Sequence, residues 1–328
     1  MVQEKDIVRL GLTIIMFIAL LGLVSTPALA KGKGRHAQRA CSQTASSAYL
    51  ACQYEVKDDY WIAKGNCYND TEDQAECFAE AKDEYKETKG ECGDQLEARK
   101  DLCEELGEDP YDPINELKPE FVDPADIGGT VDPNPYFPLV PGYRWVYTGG
   151  GETITVMVTN ETKEILGVTC RVVTDVVEED GEVTEDTKDW YAQDLEGNVW
   201  YFGEISQEFV DGELVSIDGS WTAGEEGAKP GYLVKRFPEV DDIYRQEFAL
   251  GDAEDWAKVL SLDAEESADY TTCKKEDECM QTVEGTPIEP DVSEYKFYKP
   301  GVGLILEVNA EDPSERVELV DFYTIIFP

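Results

Sequence analysis

The sequence predicts an α+β protein, in which a disulfide-laddered antiparallel helical hairpin precedes an antiparallel β meander forming a curved sheet or an open barrel. Residues 41–107 are rich in Ala, Glu, Lys and Gln and contain no proline, which favours helices. Six cysteines are spaced symmetrically within that segment. After residue 142, short alternating runs are separated by turns such as TGGGE and EEDGE, as in antiparallel strands.

Residues 1–30 have the pattern of a signal peptide. Lys5 and Arg9 precede the apolar run LGLTIIMFIALLGLV, and Ala28-Leu29-Ala30 follows as a small-residue cleavage site. We predict cleavage after Ala30 and a secreted or periplasmic protein. An uncleaved N-terminal anchor is the alternative, although the run is shorter than the ~20 residues of a membrane span.

The chain has 71 acidic and 28 basic residues, and its net charge is −43. Residues 31–40 form a basic arm that contains His36, the only histidine. This excess of acid argues against nucleic acid and anionic membrane surfaces as partners, because both are bound by clustered Lys and Arg. Divalent cations, a basic protein or a cell-surface polymer remain as candidates. The alternative is that the charge only keeps the protein soluble in a saline medium.

The cysteines of residues 41–107 lie symmetrically about residue 72. In an antiparallel hairpin, residues equidistant from the turn face each other, and only nested disulfides suit every distance between the helices. The predicted bonds are Cys41–Cys103, Cys52–Cys92 and Cys67–Cys77. Metal ligation would require short cysteine spacings or accompanying histidines, and the segment has neither.

The turn between the two helices admits two interpretations. Thr71 and Gln74 fit a capping box, so the second helix is predicted to begin near Thr71. Asn69, Asp73 and Glu80 also occupy ligand positions of a calcium loop, but Gln74 stands where such a loop requires glycine. We therefore favour a capped turn.

Residues 108–141 are predicted to be a linker of extended chain. Proline and aspartate recur in EDPYDPINELKPEFVDPADIGGTVDPNPYFPLVP, which disfavours a regular helix or a central strand. The linker contains four aromatic residues that could pack it against the following domain. These are Tyr111, Phe121, Tyr136 and Phe137.

Residues 142–328 form the predicted β domain, with ten or more strands in runs such as TITVMVT, NVWYFGE and GLILEVN. Cys273 and Cys279 flank KKEDE and are predicted to close a loop. Cys170 alternates with Val168 and Val172, so we predict a buried free thiol on the apolar face of a strand. Exchange of partners among these three cysteines stays open at this point.

Three long motifs carry a resemblance to a known group of proteins: NPYFPLVPGYRWVY, DWYAQDLEGNVWYFGE and EYKFYKPGVGLILE. Over about residues 134–320 the chain resembles a family of uncharacterised secreted bacterial proteins. That resemblance implies no activity and assigns no catalytic residue. The YxPGVG turn is also similar to that of half-barrel lipoprotein carriers of the LolA type, which implies a carrier of an apolar ligand as an alternative function.

No catalytic residue is assigned, and catalysis is the less favoured interpretation. A single histidine in the basic arm rules out a Ser-His-Asp arrangement in the folded domain, and no nucleotide-binding motif is present. The alternative is a carboxylate-dependent hydrolase acting on polysaccharide, since glycoside hydrolysis needs only two carboxyl groups. Its candidate residues lie near Trp and Tyr and are Asp189, Asp194, Glu204 and Glu247.

No cofactor is assigned, and calcium is the one candidate. A cluster of carboxylates offers the oxygen ligands that calcium prefers, without a spacing that defines a specific site. It consists of Glu178, Glu179, Asp180, Glu182, Glu185 and Asp186. We therefore expect a secreted, acidic, non-catalytic binding or surface-interaction protein that binds divalent cations weakly.

Overall fold

The structure is a computed structural model that describes residues 39–327. The predicted signal peptide, most of the basic arm and His36 lie outside the described residues. Three helices precede the strands: α1 (Ala40–Cys67), α2 (Gln74–Leu106) and α3 (Pro113–Leu117). Helix α3 corrects the prediction of a helix-free linker. It is one short turn, and it tolerates Pro113 because proline fits the first turn of a helix.

Helices α1 and α2 form the disulfide-laddered hairpin. The structure contains the three pairs that the mirror arrangement predicts: Cys41–Cys103, Cys52–Cys92 and Cys67–Cys77, with Cα–Cα distances of 5.7, 5.9 and 5.6 Å. The predicted capping box is wrong. Helix α2 begins at Gln74, and Asp70 Oδ1 instead accepts the N–H groups of Glu72 and Asp73 at 2.9 and 3.1 Å. An aspartate-centred turn therefore precedes the helix.

Within residues 39–327, eighteen strands follow the helices. The first nine are β1 (Tyr143–Gly149), β2 (Glu152–Ile165), β3 (Val168–Glu179), β4 (Glu182–Gln193), β5 (Val199–Ile205), β6 (Glu208–Val210), β7 (Glu213–Ser216), β8 (Trp221–Thr222) and β9 (Lys229–Val234). The others are β10 (Ile243–Arg245), β11 (Glu247–Phe248), β12 (Trp256–Ser261), β13 (Glu266–Ser267), β14 (Thr272–Cys273), β15 (Met280–Gly285), β16 (Ser293–Lys299), β17 (Gly303–Asn309) and β18 (Arg316–Thr324). The strands expected from TITVMVT, NVWYFGE and GLILEVN are all present.

Sixteen of these strands form one antiparallel sheet that is nearly closed and barrel-like. Its main path runs β10-β12-β15-β16-β17-β18-β1-β2-β3-β4-β5-β9-β11. Residues 243–248 join its two edges, because β10 pairs with β12 at one edge while β11 pairs with β9 at the other. The strand structure of this short segment is interrupted at Gln246. By joining the two edges, the segment makes the sheet enclose an interior. Strands β13 and β14 form a separate pair beside the Cys273–Cys279 disulfide.

The linker packs onto the barrel as an integral part of the domain. Phe121 contacts Trp200 and Phe202 edge-to-face, with ring centroids 5.9 and 5.5 Å apart. Val122 donates its N–H to the carbonyl of Gln193 at 3.0 Å, and Leu139 is fully buried. Because side chains alternate along a strand, Trp200 and Phe202 face away from the barrel interior, and the linker covers them.

The hairpin is anchored to the barrel by a buried ion pair. Arg99 on α2 reaches Glu254, with 2.7 Å between Nη2 and Oε1, and the two side chains are only 5% and 1% exposed. Gln95 adds a hydrogen bond from Nε2 to the carbonyl of Ile288 at 2.9 Å. The helices and the β domain therefore share a desolvated contact.

The cysteine chemistry of the described residues agrees with an oxidising environment. Four disulfides are present, and Cys170 is the free, buried thiol. Burial raises the pKa of that thiol to about 12, so it stays protonated and unreactive. Within residues 39–327, none of the helices has the length and apolarity needed to cross a membrane.

Candidate functional site

The barrel interior contains a cavity of about 480 Å³ that is rich in carboxyl groups. Eight acidic side chains line it, together with one lysine, Lys296. They are Asp175, Asp189, Glu204, Glu247, Asp255, Glu284, Glu294 and Glu307. The remaining wall combines Ile, Val and Leu side chains with five aromatic residues, namely Phe137, Tyr147, Tyr191, Tyr201 and Tyr298. The interior is therefore acidic and aromatic together.

Strand alternation brings most of these side chains inward. On β16, Glu294, Lys296 and Tyr298 are spaced two residues apart and all line the cavity. On β4, Asp189 and Tyr191 show the same spacing. Polar residues thus occupy the inward face of these strands, where the interior of a smaller barrel would be filled by apolar side chains.

A β-bulge in β5 places two further residues in the cavity. Tyr201 and Glu204 are three residues apart, so regular alternation would put them on opposite faces. Tyr201 pairs with Tyr191 and Glu204 pairs with Asp189, which leaves one extra residue on β5 between the two pairs. Gly203 makes this possible, since its φ is +129° and an added Cβ would lie 2.3 Å from the carbonyl oxygen of Trp221.

The bulge assembles a carboxyl pair around one phenol. The hydroxyl of Tyr201 lies 2.6 Å from an oxygen of Asp189 and 2.6 Å from an oxygen of Glu204. A phenol carries a single hydrogen, so it can donate to only one of the two carboxyls. The other carboxyl must donate to the phenol oxygen, and at least one of the pair is therefore protonated in this arrangement.

The pKa values of Asp189 and Glu204 agree with at least one protonated carboxyl group in the pair. Burial, followed by the charge of Asp175, raises the pKa of Asp189 to about 7. Burial, followed by the charge of Asp189, raises the pKa of Glu204 to about 8. Both pKa values lie at or above neutral pH, so the pair retains a proton there, and Tyr201 bridges its two members.

A second carboxyl pair lies in the same cavity. Glu247 accepts a hydrogen bond from Trp221 Nε1 at 2.7 Å, and Asp255 lines the same cavity. Burial and then the neighbouring Asp255 hold the pKa of Glu247 well above its usual range. Burial also raises the pKa of Asp255. Both members of this second pair therefore favour the protonated form more than a free carboxyl group does.

Lys296 is surrounded by three glutamates. Its Nζ lies 3.2 Å from Glu307, 3.5 Å from Glu294 and 3.6 Å from Glu284. Burial lowers the pKa of Lys296, but the three glutamates outweigh that effect and the net pKa is well above its usual range. Among residues 39–327, Lys296 is the one cation of the cavity wall and is fully engaged, and five of the eight carboxyl groups have no cationic partner within 4 Å.

One of these five, Asp175, also has a buried oxygen, Oδ1, without a hydrogen-bond partner among the described residues. Burial and then Glu185 raise its pKa to about 7. An acceptor oxygen in this state is costly, because burying it removes water without providing a donor.

The structure brings together three of the four residues of the hydrolase alternative. Asp189, Glu204 and Glu247 line the cavity, whereas Asp194 does not. Both oxygens of Asp194 serve the β4–β5 turn, where Oδ2 accepts Trp200 Nε1 at 2.8 Å and Oδ1 accepts the N–H of Asn198 at 2.8 Å. Asp194 therefore shapes a turn instead of a site.

The calcium candidates lie around the β3–β4 turn. Glu179, Asp180 and Glu182 are exposed there, and Glu185 is half-buried, accepting hydrogen bonds from Thr187 and Ser206. Among residues 39–327, no group of three or more His, Cys, Asp or Glu side chains has a metal-binding arrangement.

The sequence analysis did not identify Asp175 as a cavity residue, nor the cavity residues that come after Glu247 in the chain. The signal was present in β15, where Met280, Thr282 and Glu284 are buried while Val283 between them is not. The sequence analysis assumes that the apolar residues of an alternating strand face the interior. In β15, however, the face that enters the barrel is partly polar.

Comparisons with protein-family models, curated proteins and solved structures find no match to this chain.

Proposed function

We propose that this protein is a secreted, non-catalytic binding protein, exported by cleavage after Ala30, and that its barrel cavity binds a small organic cation with an apolar or aromatic body. The observation that carries the proposal is the excess of carboxyl groups over cations inside an aromatic-walled cavity. A volume of about 480 Å³ lies within the ~300–1,000 Å³ of small-molecule sites.

A ligand ammonium group would supply what the cavity wall lacks. It could donate to the unpartnered oxygen of Asp175, and its charge would favour the ionised form of Asp189 and Glu204. Tyr191 and Tyr201, stacked with centroids 4.6 Å apart, offer ring surface for an apolar body or for a cation over the ring. Binding should therefore release protons and strengthen as the pH rises from 5 to 8.

The same geometry favours binding over hydrolysis. Carboxyl groups of glycoside hydrolases stand ~5 Å or more apart so that the scissile bond fits between them. The hydroxyl of Tyr201 lies 2.6 Å from an oxygen of Asp189 and 2.6 Å from an oxygen of Glu204, so the phenol stands between the two carboxyl groups. This pair leaves no room for a sugar linkage between its members.

Matched ligands test the proposal by isothermal titration calorimetry. Phenethylamine, phenethyl alcohol and phenylacetate share a ring and differ in charge. We expect phenethylamine to bind at one site, with at least tenfold weaker binding of the other two. Asp175→Asn should weaken phenethylamine binding at least fivefold, whereas Glu182→Gln removes an exposed carboxylate of the same domain and should change it less than twofold.

Two results would overturn the proposal. Absence of phenethylamine binding at millimolar concentration would remove the amine site, and equal effects of Asp175→Asn and Glu182→Gln would reduce it to diffuse attraction by the net charge. Release of reducing sugar from a polysaccharide panel, abolished by Asp189→Asn, would establish the hydrolase instead.

We propose that the acidic outer surface of the protein binds divalent cations, a basic protein or a cell-surface polymer, and does not bind nucleic acid or anionic membranes. The net charge of −43 supports this choice of partners. Calcium would bind weakly and at several places, since the carboxylates of the β3–β4 turn are exposed and unspecialised.

A further inference from the structure

A second cavity, of about 530 Å³, lies between the hairpin and the barrel. Residues of α1, α2, the start of the linker, β10 and β11 all contribute to its lining. Its walls are largely apolar and include Ala45, Leu106, Tyr111, Ile243, Phe248 and Leu250. This cavity is separate from the acidic interior of the barrel.

Two buried arginines line this second cavity, and among the described residues only Arg99 has an ion-pair partner within 4 Å. Arg99 and Arg245 are 4% and 6% exposed. Glu254 is the buried carboxylate of the lining, and both of its oxygens accept from Arg99, at 2.7 Å from Nη2 and 3.0 Å from Nε. Glu254 Oε1 also accepts the N–H of Gly251 at 3.0 Å. The carboxylate is therefore occupied by Arg99 and the adjoining backbone.

Arg245 is left with an unused donor. Its Nη1 is buried and has no hydrogen-bond partner within the part of the chain that the structure describes. Its Nη2 reaches only the sulfur of Cys41, at 3.9 Å. The guanidinium packs on aromatic rings instead, 4.7 Å from the centroid of Phe248 and 5.7 Å from that of Tyr111. An unpaired buried charge of this kind is costly unless an anion joins it.

We infer that this cavity binds an apolar ligand with one anionic head group, such as a medium-chain carboxylate, whose head pairs with Arg245. A carboxylate accepts well from the planar guanidinium fork, and the hydrogen bond to Nη1 would use the orphan donor. The tail would lie against Tyr111, Phe248 and Leu250. A ligand bound here touches both the hairpin and the barrel, so it would strengthen their attachment.

Decanoate and decanol test this inference on the full mature chain, with decanoate kept below its micellar concentration. Isothermal titration calorimetry should show decanoate binding at one site and at least tenfold weaker binding of decanol at that site. Arg245→Gln should weaken decanoate binding at least tenfold. Arg144→Gln is the matched control, since it removes an arginine with an unpartnered Nε that does not line this cavity, and it should change binding less than twofold.

The inference fails if the native protein does not bind decanoate, if decanol binds equally well, or if both variants behave alike. Should Arg245→Gln not fold, a decanoate carrying a diazirine on its tail decides the matter on the native protein. Crosslinks to residues 243–250 and 106–117, blocked by excess decanoate, would support the site, and crosslinks confined to other peptides would overturn it. Phenethylamine binding in the barrel is measured separately, so the two sites stand or fall independently.

Discussion

Gly203 decides the geometry of the barrel cavity at the scale of a single residue. Glycine adopts a φ of +129° without a steric penalty, and the bulge that results turns Glu204 toward Asp189 and Tyr201. Without the bulge, Glu204 would face away from the cavity, and the proton-sharing pair could not form. One residue without a side chain therefore determines where an acidic side chain lies.

Substitution of Gly203 by alanine should destabilise the protein by at least about 2 kcal/mol, because a Cβ would meet the carbonyl oxygen of Trp221 in addition to the strained φ. Urea unfolding followed by tryptophan fluorescence measures the loss. Gly212→Ala is the control. That glycine also has a positive φ, +76°, but a Cβ would meet nothing within 4 Å, so its cost should be smaller. Equal costs would mean that the close approach at Gly203 contributes nothing.

The protonated carboxyls of the cavity make stability depend on pH. The pKa values of Asp189 and Glu204, about 7 and about 8, exceed those of an unfolded chain, so between pH ~4 and ~8 the folded protein holds more protons. The free energy of unfolding should therefore fall as the pH rises through this window, by at most about 1.4 kcal/mol per pH unit for each proton held.

The test is the melting temperature between pH 5 and 8 at constant ionic strength, which we expect to fall with pH. Glu204→Gln replaces a protonated acid by an isosteric amide and should flatten the profile. Glu182→Gln, at an exposed turn position, should leave it unchanged. A Glu204→Gln profile that matches the native one would show that this carboxyl does not hold its proton in the folded state.

At the scale of elements, the disulfide ladder and the buried Arg99–Glu254 pair have different roles. Two isolated helices have little core of their own, so the three disulfides hold α1 against α2. The ion pair instead holds the hairpin against the barrel. Because the ion pair holds the hairpin and the barrel together, the linker of residues 108–141 does not separate them as a flexible spacer would.

Removal of one partner of that ion pair should be strongly destabilising. Arg99→Gln leaves Glu254 buried without its cation, and we expect a loss of about 3–5 kcal/mol in the free energy of unfolding. Lys258→Gln is the control, because its pairing with Glu105 at 3.2 Å is partly exposed and should be worth less than about 1 kcal/mol. Denaturant titration of both variants measures the difference. A loss below 1 kcal/mol for Arg99→Gln would mean that the hairpin docks through other contacts.

For the whole molecule, the excess of negative charge opposes the compact state. Salt screens such repulsion over a Debye length of ~8 Å at physiological ionic strength, and a bound divalent cation would also act at shorter range. We therefore expect millimolar calcium to raise the melting temperature more than sodium at equal ionic strength. Equal effects of the two salts would contradict calcium binding. The negative charge would then serve only to keep the protein solvated.

The sequence by itself determined the α+β class and the nested cysteine pairs of the hairpin, because each follows from local spacing or composition. It predicted the Cys273–Cys279 bond and the buried thiol of Cys170 but left an exchange of partners open, and the tertiary structure decided that pairing. The cavity followed only from tertiary structure. Its acidic residues come from strands far apart in sequence, and they meet because residues 243–248 join the two edges of the sheet. The position of Glu204 also required the bulge at Gly203, since a one-residue insertion reverses the face of a side chain. Periodicity along one strand contains no information about where the sheet closes.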